Sequence, residues 1–159
     1  APGKDTCNFY FSATGQLDVN INIYAQNRDQ NGVAIADSYS LVDDVPEAGY
    51  ELNTTSSSCT NGSTYTFDNT TNAFTITASG RDTCNFYFMS TSTADIQVQI
   101  YSKPNNCTTS CYYEKVATIP NGKTFNSTRS TCTNGTISYT DSKIVVVAPG
   151  KTICGAYFD

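Results

Sequence analysis

Asp5 to Phe11 reads DTCNFYF, and Asp82 to Phe88 reads DTCNFYF again. The likeness continues without a gap: Leu17 to Tyr24 is LDVNINIY and Ala94 to Tyr101 is ADIQVQIY. Further on, SCTNG at Ser58 to Gly62 returns as TCTNG at Thr131 to Gly135, and an Asn stands six positions before each of those cysteines, at Asn53 and Asn126. One element occurs three times. APGKDTC (Ala1 to Cys7), ASGRDTC (Ala78 to Cys84) and APGKTIC (Ala148 to Cys154) each place a turn and a basic residue just before a Cys. Self-similarity at a fixed period marks a repeat architecture. Three turn-plus-strand elements against two bodies imply a surplus one. An apolar strand leads into the second copy (Phe74 to Thr77) and the third (Ile144 to Val147), but none precedes the first. The expectation is that residues 1–11 are the final strand of a preceding repeat, with repeats at 12–89 and 90–159.

Periodicity makes the chain strand throughout. Leu17, Val19, Ile21 and Ile23 alternate with Asp18, Asn20, Asn22 and Tyr24, and Ile96, Val98 and Ile100 repeat the pattern. Alternation of that kind belongs to a strand with one wet face. Tyr65/Phe67 and Phe74/Ile76 alternate with threonines on either side of Asp68 to Asn72 (DNTTN), a hairpin-turn composition. Short strands between frequent turn signals, with no helical stripe, predict an all-β chain of two tandem Ig-like, prealbumin-like β-sandwich domains.

Composition removes most chemistry. With no His among 159 residues, Ser/His/Asp and Cys/His nucleophilic sites and His-based metal centres are excluded, so no catalytic residue, metal or cofactor is expected. A net charge of −5, with nine basic residues scattered along the sequence and forming no patch, argues against nucleic-acid or anionic-membrane partners. No apolar run approaches the length of a spanning helix.

Seven cysteines point to an oxidising, extracellular setting. A body of 70 to 78 residues buries about 60% of its extended-chain surface, so its core is marginal and a staple is expected. Repeat positions predict Cys59 with Cys84 and Cys132 with Cys154, while Cys107 and Cys111, peculiar to the second repeat, tie off a local loop. Cys7 is left over, and the repeat logic pairs it with a C-T-N-G cysteine of a preceding body.

The order of an alternating first strand, P-x-x-G-Y-x-L (Pro46 to Leu52), C-T-N-G, a hairpin, a Gly turn and C-x-F-x-F resembles the SpaA-type, prealbumin-like repeats of bacterial surface adhesins and pilins, and the Ig-like repeats of tailed-phage fibre and decoration proteins. This resemblance implies a cell-surface or virion-surface location and a structural role. It also implies a Lys-to-Asn isopeptide bond starting from the first strand, where this chain has no Lys; Lys103, just beyond the second copy of that strand, is the one candidate.

Other candidates have plainer readings. Asp43, Asp44 and Glu47 form the densest acidic group, a possible carboxylate pair or Ca²⁺ site, but a solvated loop beside Pro46 explains them better. Asp29, Asp68 and Asn69 are turn residues. Tyr10, Tyr24, Tyr87, Tyr101, Tyr112 and Tyr113 are expected on exposed sheet faces, where they would stack on sugars, on a partner, or between domains. Six sequons, at Asn53, Asn61, Asn69, Asn106, Asn126 and Asn134, mark polar loops open to glycosylation. The function expected is a non-enzymatic extracellular module of a tandem-repeat fibre, surface filament or virion decoration, with neighbouring repeats or copies of the same protein as partners. A carbohydrate- or receptor-binding adhesin module, using loops and exposed Tyr, is the alternative, recognisable by one face with clustered aromatics and carboxylates that differ between the two repeats.

Overall fold

The structure, a computed structural model, describes residues 18–46, 48–93 and 96–159. The surplus strand expected at residues 1–11, with Cys7 and Tyr10, lies outside the described residues, as does Glu47. Among the described residues all regular structure is β. The first repeat supplies β1 (Val19–Arg28), β2 (Ala34–Val42), β3 (Tyr50–Leu52), β4 (Ser58–Cys59), β5 (Thr64–Asp68), β6 (Ala73–Thr77) and β7 (Asp82–Ser90). The second supplies β8 (Ile96–Ser102), β9 (Glu114–Val116), β10 (Thr131–Cys132), β11 (Thr136–Thr140), β12 (Lys143–Val147) and β13 (Thr152–Phe158).

Each repeat closes its first strand on its last. β1 runs parallel to β7 from Val19 opposite Asp82 to Ala25 opposite Phe88, within a sheet ordered β2-β1-β7-β3 in which β4 also pairs β7. β8 runs parallel to β13 in the same way, from Ile96 opposite Thr152 to Ser102 opposite Phe158, in the order β10-β13-β8-β9. A two-stranded hairpin, β5–β6 or β11–β12, supplies the rest of each core. In the first repeat it carries the inward residues of the alternation, Tyr65, Phe67, Phe74 and Ile76, onto Cys84, Phe86 and Phe88. Phe74 stacks on Phe86 at 4.1 Å, and Phe67 meets Phe88 edge-on at 5.5 Å. The second core is built of smaller side chains, with Ile137, Ile144, Val146 and Ala156 where the first has Tyr65, Phe74, Ile76 and Phe86.

Cys59 faces Cys84 across β4 and β7 with their Cα atoms 4.0 Å apart, and Cys132 faces Cys154 across β10 and β13 at the same separation. Cys107 and Cys111 are also at bonding distance, closing a loop between β8 and β9. The C-T-N-G turn needs its glycine most in the second copy. Gly135 has φ of +106°, and a Cβ there would come within 2.5 Å of the Val147 carbonyl oxygen.

The two repeats touch through backbone. Arg28 N–H donates to Ala148 O at 2.8 Å and Ala148 N–H returns a bond to Arg28 O at 3.0 Å, while the Val146 N–H donates to Gln30 Oε1 at 3.3 Å. The β1–β2 turn thereby sits over Val146 and Ala148, both fully buried. Arg28 itself is 3% exposed. Its Nε donates to Ser90 Oγ at 2.8 Å, its Nη2 to the Gly49 carbonyl at 2.9 Å, and its guanidinium lies 4.2 Å from the Tyr50 ring centre. Burial of a charge requires such partners.

Candidate functional site

Three contacts recur residue for residue in the two repeats. After β3 the chain leaves the sheet, and Asn53 N–H donates to Tyr87 O at 2.7 Å; the counterpart is Asn126 N–H to Tyr157 O at 2.8 Å. Four residues on, Ser57 N–H returns to Asn53 O, as Ser130 N–H returns to Asn126 O. The buried hydroxyl of Ser57 then accepts from Tyr87 N–H at 2.9 Å, and Ser130 does the same for Tyr157. Backbone donors on a buried strand need acceptors, and here a loop replaces the neighbouring strand in supplying them.

The outer face of each sheet carries a tyrosine trio. Tyr24 stacks on Tyr87 at 4.8 Å and Tyr39 meets Tyr87 edge-on at 5.3 Å; Tyr101 stacks on Tyr157 at 4.8 Å and Tyr113 meets Tyr157 edge-on at 5.0 Å. Strand register makes Tyr39 the counterpart of Tyr113 and Leu41 that of Lys115. Tyr39 and Tyr157, absent from the expected set of face tyrosines, belong to this framework.

Around the trio the two repeats part. Where the first has Gln26, Leu41, Ser56 and Met89, the second has Lys103, Lys115, Arg129 and Asp159. Arg129 lies over Tyr113 at 4.6 Å and over Tyr157 at 4.9 Å; Lys103 Nζ is 5.4 Å from the Tyr113 ring centre and 3.5 Å from Asp159 Oδ1. Asp159 also accepts from Tyr113 Oη and from Asn126 Nδ2. The Tyr113 hydroxyl first, and the Lys103 charge after it, hold the Asp159 carboxyl below the usual carboxylate range against some desolvation. Tyr101, Cys111, Tyr112, Tyr113, Arg129 and Tyr157 line a shallow recess of about 290 Å³, with Tyr112 90% exposed at its rim. Basic residues scattered in sequence therefore do converge here, contrary to the expectation of no patch. Residues 12–89 carry nine Asp and Glu against two Arg, a net of −7; residues 90–159 carry six Lys and Arg against four acids, a net of +2.

Asp82 and Thr152 occupy equivalent positions under the C-T-N-G turns. Asp82, 2% exposed, accepts from Thr60 Oγ1 at 3.0 Å, Asn61 N–H at 2.8 Å and Ser63 N–H at 3.1 Å; Thr152 Oγ1 accepts from Asn134 N–H at 2.9 Å. The Ser63 side chain, with the Asn61 and Ser63 N–H groups and the Thr60 hydroxyl, holds the Asp82 carboxyl far below the usual range, overcoming desolvation.

The remaining candidates are dispersed. Asp43 and Asp44 stand exposed in the bend after β2. Asp29 and Asp68 accept from N–H groups of their own turns. Asn61, Asn69, Asn106 and Asn134 are exposed, whereas Asn53 and Asn126 are half-buried with Oδ1 bonded to local N–H groups. A larger cleft of about 680 Å³ lies between the repeats, with Arg28, Asp44, Asn134 and Lys151 in its wall. No helix among the described residues is long and apolar enough to cross a membrane. No family model, curated protein or solved structure compared with the chain matches it.

Proposed function

We propose that this chain is a stretch of a tandem array of Ig-like, prealbumin-like β-sandwich repeats, serving as a non-enzymatic structural module of an extracellular fibre, surface filament or virion appendage. The observation that carries this reading is the joint between the repeats: two bodies with the same framework are connected by a reciprocal backbone pair, Arg28 with Ala148, rather than by a bare linker. Such a joint fixes the angle between successive bodies and, repeated, produces an extended particle of regular geometry. The disulfide-distance cysteine pairs are compatible with an extracellular protein, because thiols in reducing compartments do not stay paired.

The test is the intact mass and shape of the natural gene product. A mass well above 17.2 kDa, further C-T-N-G and C-x-F-x-F copies, Cys7 bridged to an upstream C-T-N-G cysteine, and a rod by electron microscopy are expected. A natural product ending at Ala1 and Asp159 with Cys7 as a free thiol would refute the array.

A further inference from the structure

We propose that the cationic edge of the second repeat, strand β9 with Tyr112, Lys115 and Arg129, docks on the acidic edge of the first repeat, strand β2 with Asp37, Leu41 and Asp43, in another copy of this chain. The two repeats act as each other's control. The first keeps the tyrosine trio, the staple and the Asn/Ser bracket with Gln26, Leu41, Ser56 and Met89 at the surrounding positions, so the fold does not need the charges that the second places there. Of those charges Lys103 and Asp159 pair with each other, while Arg129 and Lys115 do not. The Arg129 guanidinium carbon lies 4.6 Å from the Tyr113 ring centre and 4.9 Å from that of Tyr157. Among the described residues neither that guanidinium nor the Lys115 ammonium has a hydrogen-bond or ion-pair partner. A guanidinium without such a partner suits a carboxylate, which it bonds through two N–H groups at once.

The complementary surface is on the same molecule. β2 and β9 occupy corresponding places in the two repeats, and each is an edge strand with one side of its backbone unpaired within the sheet. Edge strands associate with other chains unless charge prevents it. On β2, Asp37 is exposed and without an ion-pair partner among the described residues, Leu41 is 62% exposed, and Asp43 follows, also exposed and unpaired. Two β2 edges repel through their carboxylates, and β9, with Lys115 and the neighbouring Arg129 against one exposed carboxylate, Glu114, is net positive, so charge leaves β2 against β9 as the favoured pairing. Leu41 then has Tyr112, 90% exposed, as an apolar partner. The net charges of −7 and +2 on the two repeats favour the same orientation at longer range. Within one chain the two edges share neither a hydrogen bond nor a recess, so the pairing is between copies.

Sedimentation of the intact chain over a concentration series at about 0.01 M and about 1 M salt, where the screening length is roughly 30 Å and 3 Å, tests this. Concentration-dependent association at low salt is expected, weakened about tenfold or more at high salt. The double variants K115E/R129E and D37K/D43K should each stay monomeric, because each then carries two edges of like sign. Mixed in equal amounts they should associate again, since unlike edges are restored. Melting curves show that each variant is folded. A monomer at every concentration, association indifferent to both variants, or a mixture that stays monomeric would each overturn the proposal. So would an Arg129-dependent affinity for carboxylated or sulfated glycans in a chain that does not self-associate, because the recess would then belong to a saccharide.

Discussion

Asp82 and Thr152 show how one turn is held in two ways, by a carboxylate in the first repeat and a hydroxyl in the second. The Asp82 pKa is depressed in the folded state, so ionisation favours folding. That contribution is present above the unfolded value of about 3.9 and is lost as pH falls below it toward the depressed one. Thr152 has nothing to titrate. Asp82→Asn should therefore lower the melting temperature at neutral pH and flatten its decline between about pH 4 and pH 2; an unchanged acid slope would mean that other carboxylates set it. Ser57 and Ser130 allow a cleaner test, since each fills a single role. Replacing either by Ala leaves the N–H of Tyr87 or Tyr157 without its acceptor, and a loss of about 1–3 kcal/mol in denaturant unfolding is expected for each.

At the scale of elements, the cysteine pairs were legible because the repeat placed them in equivalent contexts, and the alternation of Tyr65, Phe67, Phe74 and Ile76 named the inward face of its hairpin. What the sequence withheld was non-local. Nothing in LDVNINIY says that it runs parallel to DTCNFYF, because parallel neighbours meet only after the whole repeat has been traversed. Arg28 was hidden for a related reason: an isolated cation at a strand end reads as solvated until Gly49, Tyr50 and Ser90 arrive from three other places. The charged tyrosine face was missed because Lys115 aligns with Leu41 only through strand register, the path from Tyr101 to Lys115 being three residues shorter than that from Tyr24 to Leu41, and because Lys103, Arg129 and Asp159 meet on one face only in the folded chain. The staples themselves are testable. Replacing Cys59 and Cys84 together by Ala should cost the first repeat about 3.5 kcal/mol, the loop-closure value for a separation of 25 residues. Peptide mapping without reductant should recover that pair together with Cys132–Cys154 and Cys107–Cys111.

Over the whole molecule, the β1–β2 turn is shared property. It belongs to the first repeat by sequence yet covers Val146 and Ala148 of the second. Calorimetry of the Cys59/Cys84 double variant should accordingly show the second repeat also melting earlier, by less than the first, because it loses a cover rather than a staple. The reverse replacement, of Cys132 and Cys154, should leave the first repeat closer to its original transition, since Arg28 keeps its bonds to Gly49 and Ser90.

The parallel closure of first strand on last decides how such a chain answers a pull. Tension enters a repeat at the start of β1 and leaves at the end of β7, and in parallel neighbours those points lie at opposite ends of the ladder. The strands are then dragged past each other lengthwise, so the hydrogen bonds between Val19–Ala25 and Asp82–Phe88 yield together instead of one at a time. When they do yield, the Cys59–Cys84 bridge keeps the intervening chain from paying out. In a single-molecule pulling record each rupture should be abrupt. Reductant should lengthen the first repeat's step by roughly 85 Å, the contour of a sequence separation of 25 between those cysteines. The bridge therefore sets how far a repeat can stretch, while the shear ladder sets the force at which it gives way.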